Sequence, residues 1–479
     1  MEELKRTQLY SAHIKAGAKM VDFGGWEMPL QYPTGIIAEH LYTRHGCSVF
    51  DVSHMGRFIV TGREKIEFLQ HVLTNNVQAL KVNNAQYSII SNEEGGAIDD
   101  AYVYRFTEDR YTVVVNAANA EKVWEHFSEQ IKNFDAQLED VSKDYAAIAV
   151  QGPDSRKVLG RIVGEDVQLT EPVRNELNTL KVSSMEDMIM RVAKTGYTGE
   201  PIGYEVYIES RYAEELWDKL ICGARPAGLG ARDTTRLEAG MPLHGHELGK
   251  DIDGNEIPIY AVPLAKFAVS FSEGKGNFIG RDALKRQQEA FIRINNHDFS
   301  DCAALPRRMM PITLLGRGVM RAGCKVMKDG REVGYVTSGT MVPYYVSEGK
   351  GLGTVITEET AQRSIGFCYV ASNVLTDDRV QVDIRGKLID AVIPEFHMKN
   401  DAPPYTRVIL YGHETETKVG EGASGEAAAL ALIRKSIDNH VWRQEKCINL
   451  IPSEMTASRA VRLLQVTDPS FRYAEHRKV

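Results

Sequence analysis

The chain has 479 residues, 43% of them hydrophobic and 25% charged, and a net charge of −8. That length exceeds a single compact core and implies roughly two to four domains of an ordinary globular protein. The acidic balance, without a long Lys/Arg block, leaves nucleic acid no electrostatic footprint, and no run of about 18 apolar residues offers a transmembrane helix. The start, Met1-Glu2-Glu3-Leu4-Lys5-Arg6, has neither an apolar stretch nor an Arg-rich, acid-poor one, so a cytoplasmic location is expected. The six cysteines are widely spaced with no C-x-x-C pair, which predicts buried, reduced thiols and neither disulfides nor a metal site.

Along the chain, Gly95 to Tyr104 brings two adjacent carboxylates, Asp99 and Asp100, into an apolar, strand-like run. Alternation along a strand puts Asp100 on one face with Tyr102 and Tyr104, and Asp99 on the other with Ala101 and Val103. A carboxylate among aromatic rings is costly unless paired or used, and such surroundings tune it for proton transfer. The same pair also suits a simple turn after Gly95-Gly96.

The β-branched run Tyr111 to Asn116 predicts a strand. Ala118 to Ile131, with Val123, Trp124, Phe127 and Ile131 at helical spacing, predicts a helix. Ala146 to Pro153 reads as a buried strand closed by a Gly-Pro turn, followed by a helix from Asp154 to about Val163. Thr195 to Glu200 and Gly203-Tyr204-Glu205 suggest turns close to a ligand; Glu205 then opens an alternating strand. A carboxylate there can grip the amino-pyrimidine-like edge of a heterocycle or simply stand exposed. A helix is expected over Tyr212 to Cys222, and Gly228 to Gly240 follows with Arg232 and Arg236 on one helical face. That face is either an ordinary solvated one or an anion site. His40, His45, His54, His244 and His246 show no metal spacing and are expected to be satisfied core or surface residues. The irregular order of strands and helices predicts α+β domains.

From Leu305 to Pro394, short apolar runs alternate with Gly-containing turns, the texture of an all-β domain. Residues 400–426, with Pro403-Pro404 and several Gly, read as a linker, and the Ala/Leu-rich stretch after it as helical.

The runs Arg6 to Tyr10, Met20 to Trp26, Phe50 to Met55, Gly95 to Tyr104, Ile148 to Pro153, Gly196 to Glu205, Gly228 to Gly240, Phe278 to Arg281 and Thr337 to Gly339 together resemble the aminomethyltransferase, or T-protein, family of the glycine cleavage system. They occur in the family's order over about residues 5 to 400. The resemblance implies three domains in a ring around a folate-binding opening: residues 1–50 with 145–270 (folate-binding), 51–144 (carrying a catalytic Asp), and a β-rich third domain over 278–398. It implies that Asp100 is catalytic and that Tyr87, Tyr104, Val115, Tyr197, Glu205 and Arg232 line the folate pocket, with Glu205 on the pterin edge. Tetrahydrofolate would be the substrate and a lipoyl-bearing H-protein the partner, with no metal. Another tetrahydrofolate-dependent demethylase of the superfamily, or a non-catalytic folate-binding protein, is the alternative.

The last residues, 427–479, resemble something else. Cys447 to Glu454 and Asp468 to Glu475 are similar to the opening segment of serine hydroxymethyltransferases, where Ser453, Tyr473 and Glu475 match substrate-approaching positions. The Thr-rich stretch that holds that family's cofactor lysine has no counterpart here, so pyridoxal phosphate is not expected in this chain.

Overall fold

The computed structural model describes residues 3–163, 174–182, 185, 188–348, 355–399 and 407–411. The segment resembling serine hydroxymethyltransferase and almost all of the expected linker lie outside the described residues. Contacts divide the chain into residues 1–345 with 359–413, and 346–358 with 414–479. Apart from the distal ends of two barrel strands, the elements below belong to the first unit.

Helix α1 (Tyr10–Lys15), the hairpin β1 (Lys19–Phe23) and β2 (Trp26–Gln31), helix α2 (Gly35–His45) and β3 (Ser48–Asp51) come first. Then follow β4 (Gly56–Gly62), α3 (Lys65–Val72), β5 (Asn84–Ser91), β6 (Ala97–Arg105), β7 (Tyr111–Val115), α4 (Ala120–Gln130) and β8 (Ala136–Asp140). The next stretch holds β9 (Tyr145–Gln151), α5 (Ser155–Val163), β10 (Leu177–Val182), β11 (Met188–Ala193), β12 (Gly203–Glu209), α6 (Ala213–Ile221), β13 (Arg225–Pro226) and α7 (Leu229–Glu238). Helices α8 (Ala265–Ala268) and α9 (Arg281–Asn295) lead to β14 (Arg307–Leu314), β15 (Lys325–Lys328), β16 (Arg331–Glu348), β17 (Val355–Ala371), β18 (Arg379–Ile384) and β19 (Lys387–Val392). The α+β expectation holds.

These strands make three principal sheets: β5-β6-β7-β4-β8, β10-β11-β12-β9-β3-β13, and a closed barrel β14-β17-β16-β15-β18-β19. The barrel is the β-rich segment expected from Leu305 onward. Two of its hairpins turn on Asp329-Gly330 and Arg385-Gly386, all four residues at φ between 51° and 83°. That is the left-handed geometry whose twist matches the flanking strands.

Sequence alternation explains how the first two sheets meet. In β7, Val113 and Val115 pack with Phe58, Phe68, Val123 and Phe127, against α3 and α4. Val114 faces the other way and packs with Tyr104, Phe50, Ala147 and Ala149. In β9 the large residues Ile148 and Val150 join Leu159 and Trp217 under α5 and α6. The small Ala147 and Ala149 turn toward the first sheet, so the backbones approach closely. Burying Phe127 or Trp217, each about 0–1% exposed, stabilises by roughly 1.5–3 kcal/mol per large side chain.

Helix α7 is fixed by distant elements. A Cβ on Gly228 would lie 2.4 Å from the Leu30 carbonyl oxygen, so only glycine fits the start of the helix there. At the other end Glu238 accepts from Arg44 at 2.9 Å and from Arg363 of the barrel at 3.0 Å, all three buried. Burial works against the Glu238 charge, yet Arg44, His40 and Arg363 hold its carboxyl well below the usual range. Arg236 pairs with Glu247 at 3.0 Å and donates to Ser338 of β16 at 3.0 Å, while Thr337 donates to Glu247 at 2.7 Å. The face expected as either solvated or anion-binding is therefore buried at Arg236, where Asp233 of the same helix, Glu247 of the following loop and Ser338 of the barrel take its hydrogen bonds.

Among the described residues all cysteines are free. Cys47 and Cys368 are buried as expected; Cys222, at the end of α6, is exposed instead.

Candidate active site

A cavity of about 820 Å³ opens beside α7, with walls from the β1–β2 hairpin, β6, β7, β12, α7 and the barrel. Five of the seven site residues that the resemblance implies line it: Asp100, Tyr104, Tyr197, Glu205 and Arg232. Pocket volumes of roughly 300–1,000 Å³ suit a small organic ligand.

Asp100 reaches the cavity because strand alternation puts Asp99 beneath the sheet, fully buried, and Asp100 on the open face with Tyr102 and Tyr104. Tyr87, diagonal to it on the neighbouring β5, donates to Asp100 Oδ2 at 2.9 Å, and Asn116 Nδ2 donates to Asp100 Oδ1 at 2.7 Å. The other hydrogen of that amide goes to Asp99 Oδ1 at 2.7 Å, so one Asn116 side chain bridges both carboxylates. Asp99 also accepts from the Asn116 backbone N–H at 2.8 Å and from Asn119 Nδ2 at 2.7 Å. Asn119 then donates to His244 Nδ1 at 2.9 Å, and His244 Nε2 donates to the Ala97 carbonyl at 3.2 Å. A carbonyl can only accept, which fixes the proton of His244 on Nε2 and leaves Nδ1 as acceptor. Burial and the neighbouring Asp100 push the Asp99 carboxyl up to about 8, against the pull of these amide donors. Burial likewise raises the phenols of Tyr87, Tyr104 and Tyr197, so they stay neutral donors at neutral pH.

Glu205 lies on β12 between the two sheets and is only 6% exposed, which excludes the exposed-strand alternative. Its Oε2 accepts from Thr195 at 2.6 Å, Tyr104 at 2.8 Å and Tyr207 at 3.4 Å. The other oxygen, Oε1, carries no hydrogen bond from the described residues. Arg232, on the cavity side of α7, forms no ion pair with a described residue; burial lowers its pKa while Glu205, Tyr207 and Asp51 pull it back up. The turn before Glu205 is set by Gly199 (φ +84°), whose added Cβ would lie 2.6 Å from the Thr235 carbonyl oxygen of α7.

Two residues expected in the pocket sit differently. Tyr87 is not a wall residue but stands behind Asp100 and stacks on Tyr197, ring centroids 6.1 Å apart. Val115 is fully buried in the core under β7, because alternation turns its side chain toward α4; Val114 and Asn116 line the cavity in its place. The histidines expected to be bland include three wall residues, His54, His244 and His246. Burial lowers His54 to about 4. Among the described residues no cluster of three or more His, Cys, Asp or Glu has the geometry to hold a metal.

The family model described as the GCVT N-terminal domain matches residues 9–262. An aminomethyltransferase of Desulfitobacterium hafniense (strain Y51) is 37% identical over 406 residues, covering 83% of this chain and 99% of that protein. The aminomethyltransferase of Geobacillus kaustophilus is 39% identical over 396 residues, 81% of this chain and 97% of that one. The chain belongs to the aminomethyltransferase family. The crystal structure of glycine cleavage system aminomethyltransferase T from Bartonella henselae superposes with a TM-score of 0.66 at 27% identity, over 85% of this chain and 100% of that one. Within this aminomethyltransferase fold, Asn116, Asn119 and His244 form the part of the site that the sequence motifs did not point to. The β6–β7 register pairs Ala101 with Val115, which brings Asn116 next to Asp100. Only that pairing reveals it.

Proposed function

We propose that the chain acts as the aminomethyltransferase of glycine cleavage, moving the methylene carbon of an aminomethylated dihydrolipoyl carrier to tetrahydrofolate with release of ammonia. The carbon exchanges its bonds to sulfur and to the amino nitrogen for bonds to two folate nitrogens, and the two N–H protons end on the thiol and on ammonia. In this reading residues 1–50 and 145–270 hold the folate, 51–144 carry Asp100, and 278–398 close the site. The observation that carries it is the Asp100 carboxylate, anchored by Tyr87 and Asn116 at the wall of a cavity that also presents Glu205 Oε1 and Arg232.

Tetrahydrofolate, when bound, supplies the nucleophilic nitrogens. The chain's own residues bind it and move the protons. Glu205 Oε1 accepts from the amino-pyrimidine edge, with Oε2 locked by three hydroxyls so that the carboxylate cannot rotate away. Arg232 offers a guanidinium to a ligand oxygen. Asp100 has one donor on each oxygen and retains lone pairs with which to take a folate N–H proton and pass it on. Its negative charge supports the cationic one-carbon unit during transfer. Burial and the Asp100 charge raise the pKa of the neighbouring Asp99 carboxyl. The lipoyl-bearing H-protein delivers the carbon and receives its thiol proton.

The test is ammonia release from aminomethylated carrier, with and without tetrahydrofolate, in the wild type and in Asp100→Asn. The expected result is folate-dependent release that falls about 10²–10⁴-fold in the variant, the usual range for a general acid–base group, with folate still bound. An undiminished rate in Asp100→Asn would remove that residue from the chemistry. No folate-dependent release from a folate-binding wild type would overturn the reading and leave the demethylase or the non-catalytic alternative.

A further inference from the structure

Asp99 is fully buried under β6, and every hydrogen bond that its side chain makes with the described residues is one it accepts. The groups that face it are Asp100 on its own strand, Ile90 across on β5, and Asn116 and Asn119 from the turn ahead of α4. The Asn116 backbone N–H is fixed by the chain. A side-chain amide, by contrast, presents a donor or an acceptor according to which way it is turned. Asn116 and Asn119 both point Nδ2 at Asp99 Oδ1, each at 2.7 Å. Asn116 is held that way because its Nδ2 also serves Asp100. What holds Asn119 is His244.

Asn119 stands just before the first residue of α4, where an asparagine side chain normally caps the helix by accepting from its backbone N–H groups. Here it makes no such bond. Its two amide hydrogens go instead to Asp99 Oδ1 and His244 Nδ1, at 2.7 and 2.9 Å. His244 accepts there because its proton is on Nε2, which donates to the Ala97 carbonyl of β6 at 3.2 Å. Turning Asn119 over would set its oxygen against the bare His244 Nδ1. Moving the imidazole proton to Nδ1 would set a bare Nε2 against the Ala97 carbonyl. The chain of bonds starts and ends on one strand, at Ala97 and Asp99, and permits one sense of donation. The ring is seated against Gly249 (φ +95°), where a Cβ would lie 3.0 Å from it. The charged group three residues on, Glu247, is paired with Arg236 at 3.0 Å.

We infer that His244 is a positioning residue: by keeping Asn119 turned as a donor it biases the buried Asp99 toward its carboxylate form, and so sets a second negative charge behind Asp100. A protonated Asp99 needs an acceptor for its O–H, and Asn119 is the amide free to become one once His244 no longer holds it. Burial and Asp100 oppose the charge on Asp99, and the amide donors counter them. Only the use of that charge, the support of a cationic one-carbon unit at Asp100, rests on the proposed function. The test reads unfolding, so its outcome is separate from that of the ammonia-release assay.

The experiment compares urea unfolding of the full chain with and without Asp99→Asn, from pH 7 to 10, in the wild type, in His244→Phe and in His244→Asn. The difference within each pair isolates the Asp99 proton. It falls as pH rises while the folded state alone holds that proton, and levels off at the folded pKa. In His244→Phe, which keeps a ring but removes the acceptor, the levelling should move up by about one pH unit, the weight of a single hydrogen bond to the carboxylate. His244→Asn, whose amide oxygen replaces Nδ1 as acceptor, should bring it back. Asn119→Ala, at a half-buried position, should raise it alike, and adding His244→Phe to that variant should shift nothing further. An unmoved levelling in His244→Phe or in Asn119→Ala would overturn the inference. So would a shift that His244→Asn fails to reverse, or one that His244→Phe adds on top of Asn119→Ala, since either makes His244 a packing residue alone.

Discussion

Replacing Glu205 by Gln keeps the shape of the site but turns an acceptor into an amide. Oε1 is the oxygen left free by Thr195, Tyr104 and Tyr207, so the loss falls on the ligand. A charged hydrogen bond contributes about 1.5–3 kcal/mol, which corresponds to a tetrahydrofolate Kd raised about 10- to 100-fold with a smaller effect on kcat. Calorimetric titration of Glu205→Gln measures this, and unchanged affinity would contradict the role. A second residue-scale expectation concerns Asp99. Its folded pKa, near 8, exceeds the ordinary value of about 3.9, so the folded state holds the proton more tightly than the unfolded one. The stability that this contributes is complete below about pH 4 and is lost as pH rises through about 8. In Asp99→Asn that loss disappears, and the variant should gain on the wild type in urea midpoint between pH 5 and 8. A constant difference over that range would show that Asp99 is ionised throughout. The face shared by Asp100, Tyr102 and Tyr104 was legible from alternation alone. Asn116 and His244 were not, since what brings them to the carboxylates is strand register and a loop 144 residues away in sequence from Asp100, as His244 − Asp100 gives.

Local patterns sufficed for β7, β9, α4, α5 and α6, each of which buries a residue set repeating at the strand or helix period. Helix α7 shows where that reasoning stops. Arg232 and Arg236 share a face as their spacing requires, yet whether that face meets water depends on Glu247, Glu205 and the barrel, all of which lie outside the helix. The ion pairs at the end of α7 set an element-scale prediction. Glu238→Gln leaves Arg363 buried without its carboxylate and Arg44 with Glu200 alone, and breaking such a pair costs about 3–5 kcal/mol. Urea unfolding should register a fall of that order, while Lys132→Gln, which removes a surface pair with Glu129, should change stability by less than about 1 kcal/mol. Comparable losses in the two variants would deny the Glu238 cluster its role. Gly199 is tied to the same helix: its backbone lies in the left-handed region and a side chain would press on α7.

At the scale of the whole molecule, buried titratable groups define an acid limit. Burial lowers His54 to about 4 and His397 to about 3. Unfolded histidines take their protons near pH 6.5, so stability drains away as pH falls from about 6.5 through those values. Burial opposes the charge on Asp51, but hydrogen bonds from His13 and Thr7 pull it down to about 2. Its contribution is present above about pH 4 and lost as pH falls toward 2. In an Asp99→Asn background, which removes the opposing gain from that carboxyl, the urea midpoint should therefore fall on acidification from about pH 6.5 downward, and a flat profile to about pH 4 would mean that these groups are not buried as described. The α+β class and the β-rich barrel were readable from composition and turn spacing. The arrangement around one cavity came from the family resemblance and not from local pattern, because contacts such as Arg236 to Ser338 and Thr337 to Glu247 cross about a hundred residues.

The closed barrel carries a consequence of its own. Its wall at Thr337, Ser338 and Gly339 faces the cavity, whereas β18 does not. A ring of six strands has no free edge from which to peel, so its amides open together or not at all. A small molecule seated against one arc of the ring should therefore slow deuterium uptake along β18, on strands it never touches.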